Sequence, residues 1–343
     1  MSVTKKSFGE RAFLYVIENA NGMTAVVSDL GAVLQSLRVP DKEGVLTDVV
    51  LGYDDVTSYE NNPQSQGQIV GRFANRIGGA AFTLNGQTYQ LDANEGKNVL
   101  HSGRKSYGIR LWSAEVGDDA VTFSLISPDG DQGLPGEAKI SVRYSLSADN
   151  ALHIQYCAVS DKDTYFNLTN HAYFNLAGHD SGCVGKQYVT LACSRFTPVD
   201  GELIPTGKVA SVAGTPLDFT TAKPIARDID KLECEQLRLG GGFDHNFVID
   251  EPGLEKPFAR CWSEETGIVM EAFTDMPAVQ FYSGNFMGDV KGGKGGADYP
   301  KRGGFCLETQ FYPDTPNKPD FPSCLFKAGE AFESETVYKF SVM

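Results

Sequence analysis

The sequence predicts an all-β protein, organised as a single large antiparallel β-sandwich with few short helices. Apolar residues recur at every second position in several segments, and turn-forming residues separate these segments. Such alternation places one face of a strand on a core and the other outward, as in antiparallel sheets. No regular alternation of strands with long helices is visible, which argues against a parallel, doubly wound sheet.

The first half of the chain supports this class element by element. Residues 53–61 fit a short turn of helix. Asn85-Gly86 separates two β-prone segments, and this dipeptide is typical of a two-residue hairpin. Residues 121–125, 137–150 and 151–160 each alternate apolar and polar positions, so each predicts a strand.

The second half contains the second helical signal and a glycine-rich segment. Residues 226–238 bring Ile229, Leu232 and Leu237 to rough helical spacing. Residues 268–272 alternate again and predict a strand. Residues 290–300, VKGGKGGADYP, have the composition of a mobile loop.

Length and charge limit the classes of function. The chain has 343 residues without a composition shift that marks a linker, so we expect one domain, residues 1–343. The formal net charge of −14 argues against binding to duplex nucleic acid or to an anionic membrane surface, because both require clustered basic residues. A small neutral or cationic ligand is the expected partner.

The N-terminus and the cysteines predict a cytoplasmic protein. No segment approaches the run of about 18 apolar residues that spans a bilayer, and the N-terminal apolar stretch is too short for a secretory signal. The seven cysteines are odd in number and scattered, and none is in CxxC spacing. We therefore interpret them as reduced thiols that take no part in turnover.

Motifs of three common enzyme classes are missing from the sequence. It has no GxxxxGK followed by Ser or Thr, no GxGxxG after a strand, no HExxH and no GxSxG. Nucleotide-binding, zinc-peptidase and serine-hydrolase interpretations therefore lose support.

The five histidines differ in their surroundings. His153 lies on the polar side of a predicted strand and His179 follows a glycine in a loop, so we assign both to the structure rather than to chemistry. His101 comes at a strand end, before Ser-Gly, where functional groups are often found. His171 lies among amide, hydroxyl and aromatic side chains, which either satisfy one another or face a ligand.

Three further polar positions are candidates from the residues alone. Strand alternation places Glu308 on the face opposite Leu307, either solvated or in a cleft. Asp244 follows three glycines, which allow a close backbone approach or simply form a turn. Asn75-Arg76 is either a hydrogen-bonding pair or a donor for a surface salt bridge.

Six segments that contain these positions together resemble the aldose 1-epimerase family, the galactose mutarotases. They follow the same order along nearly the whole chain, so their combination is far more specific than any one of them. The segments are GRFANRI (71–77), NVLHSG (98–103), NLTNHAYFNLAG (167–178), GGFDHNF (241–247), PAVQFYSGNF (277–286) and GFCLETQFYPD (304–314).

The resemblance implies a galactose mutarotase-like sandwich with a sugar cleft on one sheet, and it implies roles for its residues. Glu308 would be the general base for the anomeric hydroxyl, and His171 the general acid for the ring oxygen, assisted by His101. Tyr173 would form part of the cleft wall, whereas His245 would not be catalytic. The residues implied to hold sugar hydroxyls are Asn75, Arg76, Asp244 and Gln280.

The chemistry of mutarotation fits these residue types. A base removes the C1 hydroxyl proton and an acid protonates the ring oxygen, so the ring opens and closes again on the other face of the carbonyl. A carboxylate and an imidazole suffice for these proton transfers. The reaction involves neither redox change nor group transfer, so we expect no cofactor and no metal. Phe281, Tyr282 and Phe286 are candidate rings for the apolar face of the sugar, although a core role is the more common one.

Several alternatives stay open from the sequence. Glu308 and Asp244 could serve a glycoside hydrolase, which needs two carboxylates. A sugar-binding module without catalysis and a metal site of His101, His171, Asp244 and Glu308 are also compatible. An epimerase of hexose 6-phosphates is less favoured, because phosphate requires more local positive charge. We expect a monosaccharide substrate, and a monomer or a homodimer.

Overall fold

The computed structural model describes residues 2–288 and 290–343, and the described chain is mostly β-strand, which confirms the predicted all-β class. Apart from isolated bridges, the strands that are described pair antiparallel throughout. In chain order, the strands are β1 (Ser2–Phe8), β2 (Ala12–Glu18), β3 (Thr24–Ser28), β4 (Leu34–Pro40), β5 (Leu46–Asp48), β6 (Ile69–Val70), β7 (Arg76–Ile77), β8 (Ala81–Leu84), β9 (Gln87–Gln90), β10 (Val99–Leu100), β11 (Ser113–Val116), β12 (Ala120–Ser127), β13 (Ala138–Leu146), β14 (Ala151–Ser160), β15 (Thr164–Tyr165), β16 (Thr169–Asn170), β17 (Tyr188–Leu191), β18 (Arg195–Phe196), β19 (Ala210–Ser211), β20 (Lys223–Pro224), β21 (Asp244–Val248), β22 (Ala259–Trp262), β23 (Ile268–Thr274), β24 (Ala278–Tyr282), β25 (Cys306–Gln310), β26 (Leu325–Phe326) and β27 (Ala331–Val342).

Helical segments are short. The helix predicted within residues 53–61 is confirmed as α1 (Val56–Glu60), and the Asp55 side chain caps it by accepting the amide of Ser58 at 2.9 Å. The second helix of the described chain is α2 (Glu235–Gly240). Single 3₁₀ turns cover Gly78–Ala80, Tyr107–Ile109, Asp131–Gly133, Val184–Lys186, Ile225–Arg227, Lys294–Gly296 and Thr315–Asn317.

The helical spacing in residues 226–238 was misleading over most of its length, since only α2 forms an α-helix there. Leu232, one of the three apolar positions in the pattern, is exposed. The preceding turn is organised by Asp228, whose carboxylate accepts the ammonium groups of Lys223 and Lys231, each at 2.7 Å. Ile229 and Leu237 nevertheless pack in the hydrophobic core, so the pattern marked two buried positions although the helix is shorter than predicted.

Three larger sheets enclose one hydrophobic core. A nine-stranded sheet has the order β11-β12-β13-β14-β27-β23-β22-β17-β20, and two five-stranded sheets have the orders β1-β2-β3-β4-β5 and β19-β18-β21-β24-β25. We call the last of these the site sheet. The core cluster contains Phe123 and Tyr338 of the nine-stranded sheet, Ile17 of the N-terminal sheet and Phe281 of the site sheet. Face-to-face packing of this kind defines a β-sandwich.

The hairpin predicted at Asn85-Gly86 is confirmed. It joins β8 and β9, with Leu84 paired to Gln87. Both turn residues have positive φ, 52° for Asn85 and 78° for Gly86. A type I′ turn requires this backbone conformation, which asparagine and glycine tolerate best.

The glycine-rich segment 290–300, for which composition predicts a mobile loop, is attached to the fold at its centre. The ammonium of Lys294 is buried, and it donates to Asp48 at 2.7 Å and to the carbonyl of Gln35 at 2.9 Å. The hydroxyl of Tyr299 donates to the carbonyl of Gly52 at 3.0 Å. Composition gives no sign of these contacts, because their partners lie about 250 residues away in the chain.

Two further properties of the described chain concern its helices and its cysteines. None of its helices has both the length and the apolar character required to cross a membrane. All seven cysteines lie within the described residues, and each is a free thiol, as predicted.

Candidate active site

A cleft of about 560 Å³ opens over one face of the site sheet. This volume is within the range of small-molecule sites. Its mouth is bordered by Pro63–Ser65, Gly201–Leu203 and Phe286. All eight residues that the sequence singled out for catalysis or substrate binding line this one cleft, namely Asn75, Arg76, His101, His171, Tyr173, Asp244, Gln280 and Glu308.

Strand alternation explains how the site sheet presents its polar groups. Asn246, Gln280 and Glu308 are direct cross-strand neighbours on β21, β24 and β25. The alternate positions of these strands, such as Phe281 next to Gln280 and Leu307 next to Glu308, point to the other face and belong to the hydrophobic core. The same strands therefore build the core on one face and a polar surface on the other.

Asn75 and His101 are joined by two hydrogen bonds. The pairing of the short strands β7 and β10 brings them side by side, and both have positive φ, 64° and 52°. The amide of His101 donates to the carbonyl of Asn75 at 3.0 Å, and the amide of Asn75 donates to Nδ1 of His101 at 3.2 Å. Because Nδ1 accepts, the neutral ring of His101 has its proton on Nε2.

His171 is fixed by backbone bonds and by aromatic packing. Its amide donates to the carbonyl of Gln68, and its carbonyl accepts the amide of Gly67, both at 2.9 Å. The imidazole stacks on Tyr173 with ring centroids 5.0 Å apart, and the ring of His101 lies edge-on at 5.3 Å. His171 is 5 % exposed, so the ring has little freedom to move away from the cleft.

Glu308 and His171 face each other. Oε2 of Glu308 lies 3.6 Å from Nε2 of His171, and Glu308 is 2 % exposed. Burial raises the pKa of the Glu308 carboxyl well above its usual range; the charge of Asp244 adds to this rise and that of Arg76 opposes it. Burial also lowers the pKa of His171 to about 4. Both shifts have the same cause, since a low-dielectric site disfavours either charged form.

Two further titratable groups of the cleft, Asp244 and His101, are also perturbed. Burial raises the pKa of Asp244, partly offset by Arg76 and by the amide of Gln280, which donates to the carboxylate at 2.7 Å. The pKa of His101 is well below its usual value because of burial and because His171 and Arg76 lie nearby.

Arg76 has a partner that the sequence analysis did not identify. Its guanidinium donates to both carboxylate oxygens of Glu95, at 2.6 and 2.8 Å. Burial alone would lower the pKa of Arg76, but these bonds and the charges of Asp244, Glu95 and Glu308 raise it. The sequence around Glu95 contains no motif, so nothing local could have indicated this role.

A second group missed by the sequence is Gln310, which lies at the centre of a side-chain network beneath the cleft. Its amide donates to Asn246 at 2.9 Å and to Gln280 at 3.4 Å, and its oxygen accepts from Asn75 at 3.4 Å. Gln280 in turn donates to Asp244. Strand alternation, which places Gln310 on the same face as Glu308, was the available signal.

The other histidines lie outside the cleft. His153 is hydrogen-bonded to Glu335 at 2.8 Å on the nine-stranded sheet, and His179 to Tyr299 at 3.2 Å. His245 is fully buried beneath the site sheet, where its Nδ1 accepts the amide of Asp244 at 3.1 Å. Of the three candidate rings, Phe281 belongs to the core, whereas Tyr282 and Phe286 line the cleft.

One group within the cleft has the composition of a metal site. Ligand atoms of His101, His171 and Glu308 lie within 4.8 Å of one another, so three of the four residues considered for a metal are together. Two histidines and a carboxylate suit zinc or iron. The same groups also suffice for acid and base catalysis on a neutral polyhydroxylated ligand, for which the cleft offers carboxylate, amide and guanidinium partners.

Comparisons with known proteins agree with this geometry. A sequence model of the family described as aldose 1-epimerase matches residues 14–339. The galactose mutarotase of Bos taurus is 43 % identical over 312 residues, which cover 91 % of this chain and 89 % of the relative. That of Rattus norvegicus is 39 % identical over 347 residues, which cover 100 % and 99 %. The crystal structure of an aldose epimerase homologue from C. elegans superposes with a TM-score of 0.89 at 34 % identity, over 97 % of this chain and 99 % of the other.

Proposed function

The chain belongs to the aldose 1-epimerase family, and from this premise we propose that Glu308 and His171 are the base and the acid of its mutarotase reaction. The family assignment makes the protein an isomerase that interconverts the α and β anomers of free aldoses. The proposal concerns which residues move the protons and how the sugar is held.

The observation that supports the assignment most directly is the 3.6 Å distance between Oε2 of Glu308 and Nε2 of His171. In a pyranose, the anomeric hydroxyl oxygen and the ring oxygen are bonded to the same carbon. A base for one oxygen and an acid for the other must therefore lie close together and face the same point of the cleft. Oε2 of Glu308 has no hydrogen-bond partner among the described residues, which leaves it free to accept from a sugar hydroxyl.

The pKa shifts define the starting state of the pair. Because the pKa of Glu308 is raised and that of His171 is lowered, a proton held by the pair resides on the carboxyl before the sugar binds. Transfer of that proton to Nε2 yields the carboxylate and the imidazolium that ring opening requires. Hydrogen bonds from sugar hydroxyls to Glu308 favour this transfer, because they stabilise the carboxylate.

The proton balance of the reaction is then complete. Glu308 takes the proton of the C1 hydroxyl while His171 gives its Nε2 proton to the ring oxygen, and the bond between C1 and the ring oxygen breaks. The open aldehyde rotates about C1–C2. In ring closure, the hydroxyl at C5 returns its proton to His171 and Glu308 returns a proton to the new anomeric oxygen, which restores both groups.

The remaining polar groups are proposed to hold the sugar. Arg76 is a donor whose direction is fixed by Glu95, and Asp244 is an acceptor whose direction is fixed by Gln280. Asn75, Gln280 and His101 complete the hydrogen-bonding floor, and Tyr173 contributes to the wall. Fixed polar partners of this kind determine which hydroxyl pattern is accepted.

Substrate and setting follow as proposals from the same premise. We assign free hexoses, with galactose and glucose first, because the two mammalian relatives are galactose mutarotases. We further propose that residues 1–343 form one domain, that the protein acts in the cytoplasm as a monomer or a homodimer, and that turnover needs no cofactor. No nucleic acid or membrane takes part in the reaction proposed here.

Polarimetry of freshly dissolved α-D-galactose and α-D-glucose tests the proposal. The wild-type protein should speed equilibration, and Glu308→Gln and His171→Asn should each lower kcat by about 10²–10⁴-fold, the usual effect of losing a general acid or base. Glu333→Gln, at an exposed position of β27, is the matched control and should leave kcat unchanged.

Two results would contradict the proposal. Full activity of Glu308→Gln would remove the assignment of the base, and full activity of His171→Asn that of the acid. A methyl galactoside, which has no free anomeric hydroxyl, should stay intact. Release of methanol from it would instead favour the glycoside-hydrolase alternative.

A further inference from the structure

Cys306 lies directly behind the imidazole of His171. It is the first residue of β25, opposite Tyr282 of β24, and it is fully buried. Its Sγ lies 3.5 Å from Nδ1 of His171. The sulfur is the one side-chain hydrogen-bond partner that the described residues provide for this nitrogen, whereas the opposite nitrogen, Nε2, faces Glu308.

The thiol remains protonated at this position. Burial raises the pKa of Cys306 well above its usual value, and the negative charges of Glu308 and Asp244 raise it further. A neutral thiol is a weak donor through S–H and a weak acceptor through sulfur. When Nδ1–H donates to Sγ, the neutral imidazole leaves Nε2 unprotonated, so Nε2 can take up the proton of the Glu308 carboxyl that it faces.

Aromatic packing alone does not determine which way round the imidazole of His171 is oriented. Tyr173 stacks on the imidazole at 5.0 Å with an interplanar angle of 25°, and Tyr282 lies edge-on at 6.5 Å. These contacts define the plane of the ring, but a half-turn about the Cβ–Cγ bond keeps that plane and preserves them. Such a half-turn would place a ring carbon against Sγ and break the hydrogen bond, so the sulfur distinguishes the two orientations.

We propose that Cys306 is a positioning residue that selects the orientation and the tautomer of His171, so that the nitrogen facing Glu308 and the sugar is free to take up the transferable proton. This inference rests on the role of His171 given under Proposed function. Sulfur accepts from Nδ1–H both in the neutral ring and in the imidazolium, so the thiol serves both protonation states without gaining or losing a proton.

A thiol differs here from the carboxylate that often orients a catalytic histidine. A carboxylate at Nδ1 would stabilise the imidazolium and raise the pKa of the ring. The uncharged thiol orients the ring without holding a proton on it, so His171 gives its proton readily to the ring oxygen. This departs from the expectation that all seven cysteines are bystanders in turnover.

Nitrogen-15 NMR of the free, histidine-labelled enzyme tests the tautomer without any turnover. The protein has five histidines, and the His171 signals are identified by their loss in His171→Asn. We expect a proton on Nδ1 and an unprotonated Nε2 in the neutral ring of the wild type, and a mixture of both tautomers in Cys306→Ala. A wild-type enzyme whose neutral ring has its proton on Nε2 would overturn the proposal.

Kinetics provide the second measurement. Cys306→Ala should lower kcat about tenfold with KM within about twofold, which corresponds to about 1.4 kcal/mol, the worth of one hydrogen bond. Cys306→Ser should recover most of kcat, since a hydroxyl also donates and accepts. Cys261→Ala is the matched control, because Cys261 is equally buried but lies in the core on β22.

The outcomes separate this inference from the proposed function. Unchanged kcat and an unchanged tautomer in Cys306→Ala would refute the positioning role while leaving the acid assignment intact. An active His171→Asn would refute the acid assignment, and the NMR result would then describe only the structure of the ring. A purely space-filling role predicts equal losses in Cys306→Ala and Cys306→Ser, which would also refute the inference.

Discussion

Replacing Glu308 with glutamine should stabilise the folded protein at neutral pH, although it removes the proposed base. The carboxyl is 2 % exposed, its Oε2 has no hydrogen-bond partner among the described residues, and Asp244 is close enough to raise its pKa. Folding therefore penalises the ionised form. Glutamine resembles the protonated side chain in shape and has no charge to bury.

The magnitude follows from linkage. Because the pKa of Glu308 is higher in the folded than in the unfolded state, the folded protein binds more protons above the unfolded pKa of about 4.3. The contribution of Glu308 to the free energy of unfolding of the wild type is thus fully present below that pH, and it is lost as the pH rises toward the folded pKa. Glu308→Gln has no carboxyl to ionise, so its free energy of unfolding should exceed that of the wild type by a difference that grows by about 1.4 kcal/mol per pH unit and then levels off.

Urea unfolding at several pH values between 5 and 8 measures this difference. The difference between the free energies of unfolding of the two proteins cancels the contributions of groups that titrate in both. Equal m-values show that the unfolded states are comparable. Glu333→Gln, at an exposed position of β27 outside the cleft lining, is the matched control for exchanging a carboxyl for an amide. Parallel stability curves for Glu308→Gln and the wild type would refute the reasoning, since a carboxylate that is well accommodated by the fold costs nothing to ionise.

Three further predictions concern other parts of the molecule. Burial lowers the pKa of His245 to about 4, so the wild type should lose stability as the pH falls from 6.5 toward 4, and His245→Gln should lose about 3 kcal/mol less in urea titrations. Gln310→Leu should raise KM about tenfold in polarimetric assays with a smaller effect on kcat, because it removes the donor to the side-chain oxygens of Asn246 and Gln280 beneath the cleft; an unchanged KM would contradict this. Dialysis against EDTA should leave activity unchanged, whereas a loss that zinc restores would identify the His101 cluster as a metal site.

Local patterns predicted those parts of the protein that depend on local physics. The period of two in residues 305–310 correctly placed Leu307 in the core and Glu308 on the other face, because side chains alternate along any extended strand. Asn85-Gly86 predicted its hairpin for a similarly local reason, the tolerance of these two residues for positive φ.

Groups that act through distant partners could not be predicted in this way. Glu95 is defined by its bonds to Arg76, and Lys294 by its buried pair with Asp48, and neither segment has a pattern that indicates its partner. The helical spacing in residues 226–238 failed for a local reason, because the segment before Glu235 forms turns in which Asp228 binds two lysines three and five residues away. For Glu95 and Lys294, by contrast, a long-range contact determines what the neighbouring residues do not indicate.

The contacts beneath the cleft join very distant parts of the chain: Asn75 meets Gln310 across 235 positions, and His171 meets Cys306 across 135. A nascent chain that still lacks β25 contains Asn75, His101 and His171 but not Glu308, the proposed base. With the proposed roles, we expect activity to appear late in folding, after slow long-range pairing is complete. Recovery of turnover after dilution from denaturant should then report the last step of refolding, and a truncation before β25 should be inactive.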